Sequence, residues 1–100
     1  MPYVKSEYDD LDKYKYDNGD IVYYKKDADI VHNPYGAAVI HIGGYKAYCI
    51  EGKYHRLDGP AVIYANGKEE YFINNKCLTK EQFEIKILKI LGKEHLTCLR

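Results

Sequence analysis

Up to about residue 78, apolar and aromatic residues come in short runs broken by glycine and asparagine; after that they recur at helical spacing. Pro60-Ala61-Val62-Ile63-Tyr64 runs into Asn66-Gly67, and the chain returns through Glu70-Tyr71-Phe72-Ile73. Asn-Gly between β-branched and aromatic runs predicts a hairpin with a type I′ turn, which needs positive φ at both central residues. Gly43-Gly44 and Asn18-Gly19 predict two more such turns.

The first two of these hairpins belong to a repeat. HNPYGAAVIHIGGYKAYCIEGK (32–53) lies without a gap over HRLDGPAVIYANGKEEYFINNK (55–76), matching at His, Gly, Ala, Val, Ile, Gly, Tyr, Ile and Lys. A fixed period of this kind marks one supersecondary unit copied along the chain, each copy burying apolar surface against the next. A degenerate copy covers 13–30, with Lys13-Tyr14-Lys15-Tyr16 before its turn and Ile21-Val22-Tyr23-Tyr24 after it. Between hairpins, Asp58-Gly59-Pro60 and its counterpart around Gly36 predict tight connectors, with Gly36 and Gly59 at positive φ. Gly36, Gly44, Asp58, Gly59, Pro60, Asn66 and Gly67 are thus the expected structural turn residues.

Residues 79–92 read differently. Thr79 with Gln82 forms a capping box, and Leu78 and Phe83 stand at staple positions around it. Phe83, Ile87, Ile90 and Leu91 follow at helical spacing, widened by Ile85 and Leu88, so a helix is expected from Lys80 to Leu91, with Gly92 as its stop. The fold class is therefore α+β, an antiparallel meander of hairpin repeats with a C-terminal helix, in a single domain over 1–100. Both alternating sets of strand positions are apolar, Ala61 and Ile63 on one and Val62 and Tyr64 on the other. A sheet apolar on both faces needs two covers. The helix is expected to bury its stripe on one. The other is expected to be left to a partner, a second subunit or the N-terminal segment.

Composition narrows the function classes. Formal net charge is zero, with −3 over residues 1–30 and +3 over residues 76–100, which offers no basic stripe for duplex nucleic acid. Acidic and basic ends of this kind attract one another weakly, within one chain or head to tail between subunits. No run reaches the length of a membrane span, and Met1 to Lys5 carries no apolar signal stretch, so the expected location is the cytoplasm. Cys49, Cys77 and Cys98 form no CxxC spacing, which fits reduced thiols.

Candidate chemistry points to binding. His32 and His55 occupy matching positions beside the connectors, which predicts hydrogen bonds to connector backbone. No HxxxH, Cys/His cluster, Gly-rich phosphate loop or GxSxG occurs, so no catalytic residue, metal or cofactor is expected. There are twelve tyrosines and no tryptophan. Tyr48 and Tyr71 are equivalent between copies and so structural, while Tyr45, Tyr54 and Tyr64 break the repeat and suit a site particular to this chain. With Phe72 they define the expected binding surface, and Arg56 is a candidate for an anionic group.

The period and the residues His55, Arg56, Asp58, Gly59, Pro60, Ala61, Tyr64, Asn66, Gly67, Tyr71 and Lys76 resemble a MORN-like repeat. It is the variant with a DGPA core that recurs in small proteins of tailed bacteriophages. The chain lacks the Tyr-x-Gly-x-Trp core of ordinary MORN sequences and has two clear copies closed by a helix. The resemblance implies a non-enzymatic viral protein in the host cell cytoplasm, an accessory factor that binds and inhibits a bacterial protein, such as a defence protein. One alternative is a sponge for a nucleotide signalling molecule, with tyrosines stacking on the base and Arg56, Lys46 or Lys68 meeting phosphate. Another is a structural or self-assembling module, such as a homodimer.

Overall fold

A computed structural model describes the backbone of residues 3–5 and 10–95 and the side chains of residues 10–90. Cys98 lies outside the described residues. The strands are β1 (Tyr3–Lys5), β2 (Leu11–Lys15), β3 (Ile21–Lys25), β4 (Val39–Ile40), β5 (Lys46–Ala47), β6 (Cys49–Ile50), β7 (Lys53–Tyr54), β8 (Val62–Ile63), β9 (Glu69–Ile73) and β10 (Lys76–Leu78), followed by helix α1 (Lys80–His95). Eight of them form one antiparallel sheet in the order β1-β2-β3-β4-β5-β8-β9-β10, and β6 pairs with β7 as a side hairpin. This is an antiparallel meander with one C-terminal helix. Its extents are 49 × 31 × 21 Å and its radius of gyration 15.2 Å, against about 13 Å for a compact domain of this length. The chain is long and thin because a single sheet carries it.

The repeat is written in backbone hydrogen bonds. Ala38 N–H donates to Ala47 C=O at 2.8 Å, and one period later Ala61 N–H donates to Glu70 C=O at 2.9 Å. Ala38 and Ala61 are fully buried, so neither position has room for a larger side chain. His32 and His55 also act alike, but not on the connectors. Each Nδ1 accepts a backbone N–H from the next tight turn, Glu51 at 2.8 Å and Asn74 at 3.1 Å.

The turns correct the sequence expectation. At each of the three expected sites only the last glycine has positive φ, 99° at Gly19, 114° at Gly44 and 91° at Gly67, while Asn18, Gly43 and Asn66 do not. These are three-residue loops closed by a left-handed glycine, not type I′ turns. The asparagines serve through their side chains: Asn18 Oδ1 accepts the Asp20 N–H and Asn66 Oδ1 the Lys68 N–H, both at 2.9 Å. Type I′ geometry occurs elsewhere, at Glu51-Gly52 between β6 and β7 and at Asn74-Asn75 between β9 and β10, where both central residues have positive φ. The glycine loops stack along one edge. A Cβ on Gly19 would lie 2.7 Å from Ile42 Cγ2, and one on Gly44 would lie 3.3 Å from the Ala65 Cα.

Gly36 and Gly59 were expected at positive φ and are not there. Nothing lies within 4 Å of a Cβ on Gly36, whereas one on Gly59 would meet Arg56 Cζ at 2.9 Å. The connectors differ because Arg56 in the second takes over the role of Asn33 in the first. Asn33 Nδ2 donates to Ala37 C=O at 2.9 Å, and Arg56 Nη1 donates to Pro60 C=O at 3.0 Å.

The helix also departs from expectation. Its capping box forms, with Thr79 N–H donating to Gln82 Oε1 at 2.9 Å and Gln82 N–H to Thr79 Oγ1 at 3.0 Å. It then runs through Gly92 to His95, since glycine within a helix costs only about 1 kcal/mol relative to alanine and does not force an end. The expected stripe is not buried as a whole. Phe83 is buried against Tyr71, with ring centroids 4.7 Å apart, and Ile87 is half-buried, while Ile85, Leu88 and Ile90 are exposed. Among the described residues the helix packs mainly on β9 and β10, too small a part of the sheet to bury more. Over the centre of that face the Arg56 guanidinium stands 3.9 Å from the centroid of the Tyr48 ring.

Candidate aromatic interface

Strand register separates the residues into two faces. Val22, Val39, Ala47, Val62 and Glu70 lie abreast on one; Ile21, Ile40, Lys46, Ile63 and Glu69 lie abreast on the other. Alternation places Tyr48 and Tyr71 on the second face, with Arg56 over the first of these rings and α1 beside the second. His41, Tyr45, Tyr64 and Phe72 fall on the first face, joined by Cys49 and its cross-strand partner Tyr54.

The four aromatic residues expected to form a surface do come together. Tyr45 meets Tyr64 edge to face at 5.7 Å between centroids, and Tyr54 meets Phe72 at 5.1 Å. The Tyr54 hydroxyl also acts on that of Tyr45, which links the two pairs. His41 extends the row, 5.2 Å from Tyr45. Such offset contacts hold ring orientation and contribute about 0.5–1.5 kcal/mol each beyond their buried area. The Tyr64 hydroxyl donates to Glu70 Oε1 at 2.7 Å. Tyr54 remains 36% exposed, and beside it an open groove of about 590 Å³ is floored by Val31, Val39 and Ala47.

Electrostatics make this surface a poor reagent. Burial, and then the neighbouring Tyr54 hydroxyl, raises the Tyr45 hydroxyl pKa well above the ordinary phenol value, and the bond to Glu70 raises that of Tyr64. Burial pushes the Cys49 thiol up to about 11, which keeps it protonated and unreactive at neutral pH. Among the described residues no group of three or more His, Cys, Asp and Glu side chains could hold a metal ion. No helix among them is long and apolar enough to cross a membrane.

Arg56 does not join the aromatic surface. It is committed to the opposite side, over Tyr48, with Nε donating to Asp58 Oδ1 at 2.8 Å. Lys46 also faces away, abreast of Ile40 and Ile63. Of the three cations expected to meet a phosphate, Lys68 alone stands near the aromatic row, 5.9 Å from the Tyr64 centroid. His41, Cys49 and the groove floor were not foreseen as part of this surface. Register could have found them, since His41 is the counterpart of Tyr64 one period earlier and Cys49 the counterpart of Phe72.

That correspondence extends across the unit. On the face of Tyr48, copies match at Ala38/Ala61, Ile40/Ile63, Tyr48/Tyr71 and Ile50/Ile73 and differ at Lys46/Glu69. On the aromatic face they differ at His41/Tyr64, Tyr45/Lys68, Ala47/Glu70, Cys49/Phe72 and Tyr54/Cys77 and match at Val39/Val62. Repeated packing explains the first set. Repeated packing does not ask for the second.

Comparison of the chain with protein-family models, with curated proteins and with solved structures returns no match.

Proposed function

We propose that this chain is a non-enzymatic binding protein that holds a protein partner on the face of Tyr45, Tyr54, Tyr64 and Phe72. In the phage-like setting that its MORN-like resemblance implies, the partner is a bacterial protein of the host cytoplasm, such as a defence protein, and binding inhibits it. One observation carries the reading: of the six equivalent pairs on that face five differ between copies, and in four of the five one copy carries a tyrosine or phenylalanine. Tyrosine and phenylalanine bring large contact area at low side-chain entropy, which suits them to the centre of an interface.

The test is capture from bacterial lysate by wild type and by Tyr54→Glu side by side, with far-UV circular dichroism on both. The expected result is one host protein held by wild type and lost by the variant at unchanged fold. That protein's activity should fall when wild type is added. A partner retained equally by Tyr54→Glu would refute the assignment of the face, and a nucleobase chromophore released on denaturing the purified protein would favour a small ligand instead.

A further inference from the structure

Each repeat is docked on the one before it by the same contact. The Gly52 N–H donates to the Val31 carbonyl at 2.8 Å, and one period later the Asn75 N–H donates to the Tyr54 carbonyl at 2.8 Å. Asn75 completes the pair with its side chain, Oδ1 accepting the Tyr54 N–H at 2.9 Å. The next position in this series is Cys77, one period after Tyr54. Cys77 stands opposite Phe72, one step beyond the Ile73–Lys76 pair that closes the type I′ turn. Alternation of bonded and non-bonded pairs in an antiparallel ladder therefore turns the Cys77 N–H and C=O away from β9. β10 is the last strand of the sheet, and the chain passes directly into α1 rather than into a further repeat.

This open edge borders a groove of about 590 Å³ between β10 and α1. Ile73, Leu78 and Ile85 line its floor, Lys76, Lys86 and Lys89 its rim, and among the described residues no carboxylate lines it. None of the three lysines forms an ion pair with a described residue. An edge strand presents backbone donors and acceptors to any extended chain of fitting side-chain chemistry. Ile73, Lys76 and Leu78 share one face of the sheet, so here that chemistry is acidic and apolar side chains together at every second position, the set that faces the groove.

We propose that this groove binds an extended acidic segment of a partner protein, added along β10 where a further repeat would dock. Its backbone bonds the Cys77 N–H and C=O, its apolar side chains rest on Ile73, Leu78 and Ile85, and its carboxylates meet Lys76, Lys86 and Lys89. Ile73 and Leu78 place the groove on the helix side of the sheet, so the proposal does not depend on what binds the aromatic rings.

The test uses the ¹⁵N-labelled full chain and a pool of N-acetylated heptapeptides with Glu, Asp, Val or Leu at odd positions and Ser at even ones. The expected result is a shift of the Cys77 amide and of the Lys86 and Lys89 amides on titration, with the Tyr45 and Tyr54 amides unmoved. Lys86→Glu with Lys89→Glu should weaken binding about tenfold or more, since charge reversal turns attraction into repulsion. N-methylation of the central peptide residues, which removes backbone donors, should abolish the Cys77 shift, while Tyr54→Glu should change nothing. Four results would each overturn the proposal: no binding at millimolar peptide, equal binding of a lysine-for-glutamate pool, equal binding by the double variant, or binding with the Cys77 amide unmoved. Self-association of the chain that the double variant abolishes would also overturn it, making a second copy the occupant.

Discussion

Replacing Gly59 by alanine isolates what the second connector is built around. The backbone at Gly59 is not left-handed, so alanine carries no φ penalty, and the whole cost falls on the contact with Arg56. The new methyl would stand 2.9 Å from Cζ, 3.1 Å from Nη1 and 3.2 Å from Nε. A guanidinium on a free side chain would swing aside. This one is held by the Tyr48 ring, by the Pro60 carbonyl and by Asp58. The Asp58 side chain is 85% exposed, so that pair contributes little, about 0–1 kcal/mol. The charged hydrogen bond to Pro60 contributes about 1.5–3 kcal/mol and the cation–π contact about 0.5–1 kcal/mol. Partial loss of both, offset by about 0.4–1 kcal/mol from restricting the unfolded chain, leaves a net destabilisation of about 1–2 kcal/mol. Urea denaturation followed by circular dichroism measures it. A double-mutant cycle decides the mechanism: in an Arg56→Ala background, Gly59→Ala should be neutral or slightly stabilising. Gly36→Ala, with open space and ordinary φ, should be neutral or stabilising too. Equal cost of Gly59→Ala with and without Arg56 would refute the argument.

Two further outcomes follow from the stacked loops. Gly44→Ala and Gly67→Ala both force alanine into positive φ, which costs about 1 kcal/mol or more. Gly44→Ala should cost measurably more in the same denaturation assay, because its methyl also meets the Ala65 backbone while that of Gly67 meets nothing within 4 Å. The Asp20 carboxyl pKa is lowered chiefly by accepting the Ile42 N–H, and then by Asn18 and His41, so its folded value lies below its unfolded one. Its contribution to stability is therefore present above about pH 4 and lost as pH falls through the folded value. Thermal melting from pH 6 down to pH 2 should show a smaller acid-dependent drop in Tm for Asp20→Asn than for wild type.

How much of this was legible in the sequence depends on whether a residue type admits one structural use or several. The period was legible because Ala38 and Ala61 have no room to vary and because His32 and His55 make the same bond to the next turn. The turn type was not, since Asn-Gly serves equally as a type I′ centre and as a side-chain acceptor followed by a left-handed glycine, and only the count of residues between paired strands separates them. Helix burial was not legible either. Phe83, Ile85, Ile87, Leu88 and Ile90 are apolar on nearly every side, so the stripe named no face, and a helix that meets two strands at the end of a sheet has cover only for Phe83 and part of Ile87. Arg56 was misplaced because a cation beside a glycine-proline connector reads as available for a ligand. Its commitment to Tyr48 depends on a ring eight residues earlier, which only folding brings beneath it.

The aromatic surface was found by a different kind of reasoning, and the reason it worked is physical. Copies of a packed unit must agree wherever the same backbone closes on the same neighbours, and Ala38/Ala61, Tyr48/Tyr71 and Ile50/Ile73 do agree. Where the surroundings are water, nothing in the repeat imposes agreement, so difference alone would mean only solvent. What gives Tyr45, Tyr54, Tyr64 and Phe72 their weight is that four of the five differing pairs place one of these rings in one copy or the other. The rings pack on one another, Tyr45 edge to face on Tyr64 and Tyr54 tilted on Phe72, instead of dispersing into solvent. Phe72 replaces Cys49, and Tyr64 replaces His41, each across one period. A sheet that needed only solubility would place lysine or glutamate at all such sites, as this one does at Lys68 and Glu70, the counterparts of Tyr45 and Ala47. Partner recognition is a demand that fits large, oriented, half-exposed rings on the face away from the helix.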